Sequence, residues 1–177
     1  MAGVMAAGEE RKERRILVAV DDSEESMYAL SWCLANVVSE NPANISKDTV
    51  ILLYAKPRPA VYTAMDGTVL AGYSFSSDIV AMTERYNNRV ADSVMEKAKR
   101  MCEEFSDVKV ETRVENGDAR DVICQVAEKL DPDVLVMGSH GYGIIKRALL
   151  GSVSYYCAQN VKCPVLVVKK PKSSVSN

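Results

Sequence analysis

Val134-Leu135-Val136-Met137-Gly138-Ser139-His140-Gly141-Tyr142-Gly143-Ile144-Ile145-Lys146-Arg147-Ala148-Leu149-Leu150-Gly151-Ser152-Val153-Ser154 is the stretch that decides how this chain is read. It opens with a short apolar run, the pattern of a strand buried on both faces of a parallel sheet. The run ends at Gly138. A loop containing Gly141 and Gly143 follows, and Gly151-Ser152 begins a helix. Glycines let backbone N–H groups approach an anion closely. A helix start adds unpaired N–H donors and the positive end of the macrodipole. Ser152 and Ser154 add hydroxyls. The carboxyl end of a strand is also where open α/β sheets bind ligands. The stretch therefore reads as a phosphate site, and the plainer alternative is a turn-rich connection whose glycines serve geometry alone.

The spacing separates it from two familiar phosphate loops. The pattern G-x-x-x-x-G-K-[ST] is absent, and Lys146 stands where the dinucleotide fingerprint needs its third glycine. What remains is G-x2-G-x9-G-S on Gly138, Gly141, Gly151 and Ser152.

Outward from this stretch, the chain alternates strands and helices. Strands are read at Arg14–Asp21, Thr49–Ala55, Val108–Glu115, Val134–Gly138 and Cys163–Lys169. Asp22-Ser23-Glu24-Glu25 resembles a capping box opening a helix that runs to about Ser39. A long amphipathic helix starts at Asp78, with Ile79, Met82, Tyr86, Val90, Val94, Ala98, Met101 and Phe105 on its period. A third follows Gly117-Asp118 and is stopped by Asp131-Pro132-Asp133. A fourth runs from Ser152 to about Asn160, and a plain N-cap is the alternative role for Ser152, one compatible with a phosphate contact. Such alternation gives a doubly wound parallel sheet with helices on both faces. Residues alone leave the strand order open.

The 177 residues suit one α/β domain, and 47% hydrophobic residues describe a globular chain. A net charge of −2 argues against non-specific nucleic-acid binding. Residues 1–14 read as a disordered charged arm without the apolar centre of a secretory signal. Residues 171–177 read as a flexible tail, and 57–77 as a long loop or insertion within a domain at 15–170. No apolar run approaches a membrane span. Five cysteines without a CxxC pair read as reduced thiols in the cytoplasm or nucleus, and a redox role ranks last. One histidine leaves no zinc cluster.

The chain resembles the universal stress protein family, in its ATP-binding subtype and its small single-domain plant form. Val18-Ala19-Val20-Asp21-Asp22-Ser23 is similar to the family's opening motif. Gly117-Asp118 resembles its turn before the third helix. Residues 134–154 carry its loop, and Cys163-Pro164-Val165-Leu166-Val167-Val168 its closing strand. The resemblance implies the adenine-nucleotide alpha hydrolase-like (HUP) fold, an open five-stranded sheet of order 3-2-1-4-5. It implies ATP, ADP or AMP as ligand, with Mg²⁺ accompanying the triphosphate. Cyclic AMP fits the same base and ribose contacts. Carried over by position, Asp21 lies near the ribose or, through Mg²⁺, the phosphates. Ala55 meets adenine through its backbone, and Met137 and Gly138 line the ribose and base. Gly141, Gly151, Ser152, Val153 and Ser154 cradle the phosphates, and Ala19, Val20 and His140 complete the set. The resemblance also implies a homodimer through Pro164–Lys169.

Three functions compete. The first is an ATP-binding regulatory or signalling module of the stress response. The second is an ATP hydrolase, which the residues support poorly: Asp21, His140 and Lys146 offer themselves, there is no P-loop lysine, and turnover is expected to be slow or nil. No catalytic or protein metal-ligand set is assigned. The third is a nucleotide-independent holdase chaperone or protein-interaction scaffold, motivated by the long loop and the apolar edge strand.

Overall fold

The computed structural model describes residues 13–38, 48–58, 77–105, 108–139 and 150–171. Nine elements alternate along them. They are β1 (Arg15–Ala19), α1 (Glu24–Asn36), β2 (Asp48–Lys56), α2 (Ser77–Glu103), β3 (Val108–Asn116), α3 (Ala119–Leu130), β4 (Val134–Gly138), α4 (Ser152–Asn160) and β5 (Val165–Val168). The sheet is wholly parallel and ordered β3-β2-β1-β4-β5.

The burial of β1 explains its composition. Ile16, Leu17 and Val18 are at most 1% exposed, as a strand needs when helices cover both faces. Ile16, Val18 and Val20 point toward α1 and α2, within a core that includes Leu30, Leu34, Val94 and Ala98. Leu17 points the other way, among Val122, Ile123, Val126 and Leu135, beneath α3 and α4. Each fully buried Leu or Ile contributes about 1.5–3 kcal/mol relative to exposure.

The lower end of the sheet is tied by ions. The Arg14 guanidinium reaches Asp48 at 2.5 and 3.0 Å and donates to the Val37 carbonyl at 2.9 Å. This joins β1, the start of β2 and the end of α1. Arg15 donates from its backbone to the Asp133 carboxylate at 2.7 Å and from its guanidinium to the Leu130 carbonyl at 2.8 Å. The end of α3 is thereby fixed against β1, where Asp131 turns the chain with φ 45°.

Helix ends differ from the sequence reading by small amounts. The N-cap of α1 is Ser23, one residue later than a capping box on Asp22 and Glu25 requires. Its hydroxyl accepts from the Ser26 N–H at 3.2 Å. The reciprocal role belongs to Ser26, whose Oγ accepts from the Asp21 N–H at 2.8 Å. α1 ends at Asn36 and α2 at Glu103, short of the expected Ser39 and Phe105. Residues 1–12, 59–76 and 172–177 are outside the described set. Most of the expected arm, long loop and tail falls there.

Candidate functional site

The strand order creates a switch point. β1 pairs with β2 on one side and β4 on the other, with Ile16, Leu17 and Val18 opposite Val134, Leu135 and Val136. The connection after β1 leads toward β2, and the chain returns at β4. The carboxyl ends of β1 and β4 therefore mark the place where open α/β sheets bind ligands. Ala19 faces Leu53 in register, and the Val20 N–H continues the ladder to the Leu53 carbonyl at 2.9 Å. Asp21, Ala55, Met137 and Gly138 therefore lie at one end of the sheet.

Gly138 meets α1 closely. A Cβ there would lie 3.1 Å from the carbonyl carbon and oxygen of Glu25 and from the Ser26 nitrogen. Absence of a side chain lets β4 run beneath the first turn of α1. Ser139, 2% exposed, is the next fixed point. Its N–H donates to the Val168 carbonyl at 3.0 Å. Its carbonyl accepts from the Gly151 N–H at 2.6 Å. The Ser154 hydroxyl lies 3.1 Å from that same carbonyl and 3.0 Å from the Gly151 carbonyl, sharing its proton between them. The two ends of the glycine loop are thus clasped together against β5.

Gly151, not Ser152, is the N-cap of α4, with φ −68° and ψ 160°. Ser152 is the first residue of the helix and is exposed, Val153 is half-buried, and Ser154 is buried. The first-turn N–H groups of any α-helix have no intrahelical acceptor. α1 and α3 supply one from their own chains, on Ser23 and Asp118. α4 has no side-chain cap hydrogen bond. Its N-terminal donors and dipole face the carboxyl end of β4.

Asp21 also holds its own turn. Its Oδ1 accepts from the Ser23 N–H at 2.9 Å and from the Ser23 hydroxyl. Behind it, Tyr54 at the end of β2 is 7% exposed. Burial pushes its phenol up, reinforced by the carboxylates of Asp21 and Asp22. A neutral hydroxyl therefore stands beside two acids. On the β3 side, a cavity of about 520 Å³ opens between Pro57, Arg58, Asn116, Asp118, Asp121 and Gln125. It begins one register step beyond Ala55, since Lys56 pairs with Asn116.

Of the residues singled out from sequence, Ala19, Val20, Asp21, Ala55, Met137, Gly138, Gly151, Ser152, Val153 and Ser154 occupy this end of the sheet. His140, Gly141, Gly143, Lys146 and Arg147 lie outside the described residues. Sequence reading did not single out Ser139 or Tyr54. A buried polar residue after a β4-type strand was the available sign for Ser139. Tyr54 sits inside an apolar run and gave no sign. Among the described residues no group of three His, Cys, Asp or Glu side chains is placed to hold a metal, and no helix is long and apolar enough to cross a membrane.

Comparison with known proteins agrees with this fold. Universal stress protein PHOS34 of Arabidopsis thaliana is 30% identical over 169 residues, covering 89% of this chain and 62% of that protein. The chain thus spans less than two thirds of this relative's length. A universal stress protein solved in complex with cAMP superposes with a TM-score of 0.60 at 20% identity, covering 88% of this chain and 96% of that one. An Arabidopsis thaliana universal stress protein family member solved with AMP bound gives 0.59 at 21% identity, covering 93% and 97%. These two likenesses speak for the fold. The model of the universal stress protein family matches residues 13–169, nearly the whole chain, and the chain belongs to that family.

Proposed function

We propose that this protein is an adenine-nucleotide-binding module of the stress response, with ATP as its ligand and occupancy as its signal. The observation that carries the reading is the N-terminus of α4, which no side chain caps, clasped beside the end of β4 at the switch point. Backbone donors there suit phosphate oxygens. Ser152 adds an exposed hydroxyl; Ser154 is engaged with the two carbonyls and acts by shaping the turn. In this reading Asp21 keeps one oxygen on Ser23 and offers the other to a ribose hydroxyl or to a Mg²⁺ that accompanies the triphosphate. Adenine lies along the backbone at Ala55, with the 520 Å³ cavity on its β3 side. Met137 and Gly138 line the ribose, and His140 and Gly141 continue the site. Mg²⁺ supplies charge neutralisation when bound; the chain's own residues orient the nucleotide.

The proposal extends to assembly and setting. A unit at 15–170 carries the nucleotide and pairs through Pro164–Lys169 with a second copy in the cytoplasm. Nucleotide would then bias the dimer or a protein partner by differential binding. One oxygen of Asp21 is committed to its own turn, and the sequence carries no P-loop lysine, so hydrolysis is at most slow.

Calorimetric titration of ATP, with and without Mg²⁺, into wild type and Gly151→Val tests the reading. Position 151 has φ −68°, open to any L-residue, so the substitution strains no backbone. Affinity should fall at least tenfold, about 1.4 kcal/mol, while the melting curve hardly moves. If wild type binds no adenine nucleotide at millimolar concentration, the glycines are architecture and a holdase or scaffold takes first place.

A further inference from the structure

Along one side of the molecule, α3 meets α4 and the segment just after it at three points spaced four residues apart on α3. The Arg120 guanidinium sits 5.9 Å from the Tyr156 ring centroid. One turn further along α3, Cys124 packs against the buried cluster that holds Cys157, and the two thiols interact. A further turn on, Glu128 accepts from Lys162 at 2.9 Å. The middle contact places two sulfurs against each other from different helices. Cys124 is half-buried, and Cys157 is fully enclosed.

We propose that Cys124 and Cys157 form a reversible intramolecular disulfide when the protein meets a peroxide, stapling α3 to α4. The accessible partner reacts first. The Cys124 thiolate attacks one oxygen of hydrogen peroxide, the O–O bond breaks, and hydroxide leaves with a sulfenic acid on Cys124. The Cys157 sulfur then attacks Cys124, the S–O bond breaks, and water leaves with the proton of Cys157. Two thiols are oxidised and one peroxide is reduced to two waters. A dithiol reductant reverses the bond.

The surroundings set both rate and selectivity. Burial raises the Cys124 thiol, and the Cys157 S–H donating to it opposes that rise. Its oxidation is therefore slower than that of a thiol with a lowered pKa, and depends on sustained peroxide. Cys33 and Cys102 are enclosed under α1 and α2, at most 1% exposed, and are protected. Cys163 is half-buried near Cys124 and is the competing partner. The staple holds the helix whose first turn is the proposed phosphate site. Any effect on nucleotide rests on that reading, whereas the bond itself does not.

The full chain, reduced and desalted, is exposed to hydrogen peroxide, blocked with an alkylating agent and digested with trypsin. The expected product is peptide 121–129 joined to peptide 148–162, two hydrogen atoms lighter than their sum, with free thiols falling from five to three. In Cys157→Ser, Cys124 should instead be trapped as a sulfenic acid by dimedone. The wild-type map decides even if that variant does not fold. A bridge from Cys124 to Cys163, a bridge between chains, or five thiols surviving sustained peroxide would overturn the proposal.

Discussion

A side chain at position 138 has nowhere to go. Its three nearest neighbours are backbone atoms of Glu25 and Ser26, each at 3.1 Å, and backbone in a capped helix turn cannot step aside. Gly138→Ala should cost about 1–3 kcal/mol by overpacking, read as a lower urea midpoint with an unchanged slope. A variant as stable as wild type would mean that α1 shifts freely. Gly151 provides the contrast, since a Cβ there meets no forbidden dihedral. Sequence marked both glycines as one motif, and the structure gives them different duties. The pattern G-x2-G-x9-G-S was legible because glycine spacing is local. The approach of Gly138 to Glu25 was not, because it joins residues brought together only by the sheet. Serine is the favoured capping residue, which makes Ser152 a candidate cap from sequence, and Gly151 takes that place with its amide already bound to Ser139.

The two edge strands show how differently one sheet can end. β3 carries Lys109, Glu111, Arg113 and Glu115 at alternate positions, with a Lys109–Glu111 pair at 3.2 Å. Charges of this kind discourage edge-to-edge pairing. β5 reads Val165-Leu166-Val167-Val168, and its first three residues are only partly buried. Its backbone pattern is specific as well. The carbonyls of Pro164 and Val168 accept from β4, so the alternate residues Val165 and Val167 aim their amides at the open edge. Val167→Pro removes one outward donor while sparing the β4 ladder. Sedimentation should show a dimer in wild type and at least tenfold weaker association in the variant. A variant dimer of unchanged strength would place the interface elsewhere. The extents of β4 and α4 were legible from sequence, since an apolar run and a Gly-Ser start are local signals. The Cys124–Cys157 contact was not. Motif spacing looks along the chain, and these thiols meet across two helices.

At the scale of the whole molecule, the sheet divides two apolar layers, and each encloses thiols. Burial pushes Cys33 and Cys157 up to about 12 and Cys102 to about 11, against an ordinary 9.0. A pKa raised on folding means that the native state holds protons the unfolded chain releases. The associated stability is complete below pH 9 and is lost as pH climbs toward 11–12. Urea unfolding under reducing conditions should show stability falling above pH 9, by about 1.4 kcal/mol per pH unit for each thiol. Cys33→Ala should have a shallower decline, and an unchanged slope would remove Cys33 from this role. Element types and bounds at this scale followed from hydrophobic periodicity. Strand order came from the family resemblance alone, because β1 meets β4 only after three helices and two strands have intervened. The Ser139 carbonyl, which receives both the Gly151 amide and the Ser154 hydroxyl, has a consequence for how this chain can change. The end of β4 and the first turn of α4 share that one acceptor, so they are a single joint rather than two. Removing the Ser154 hydroxyl would loosen both together.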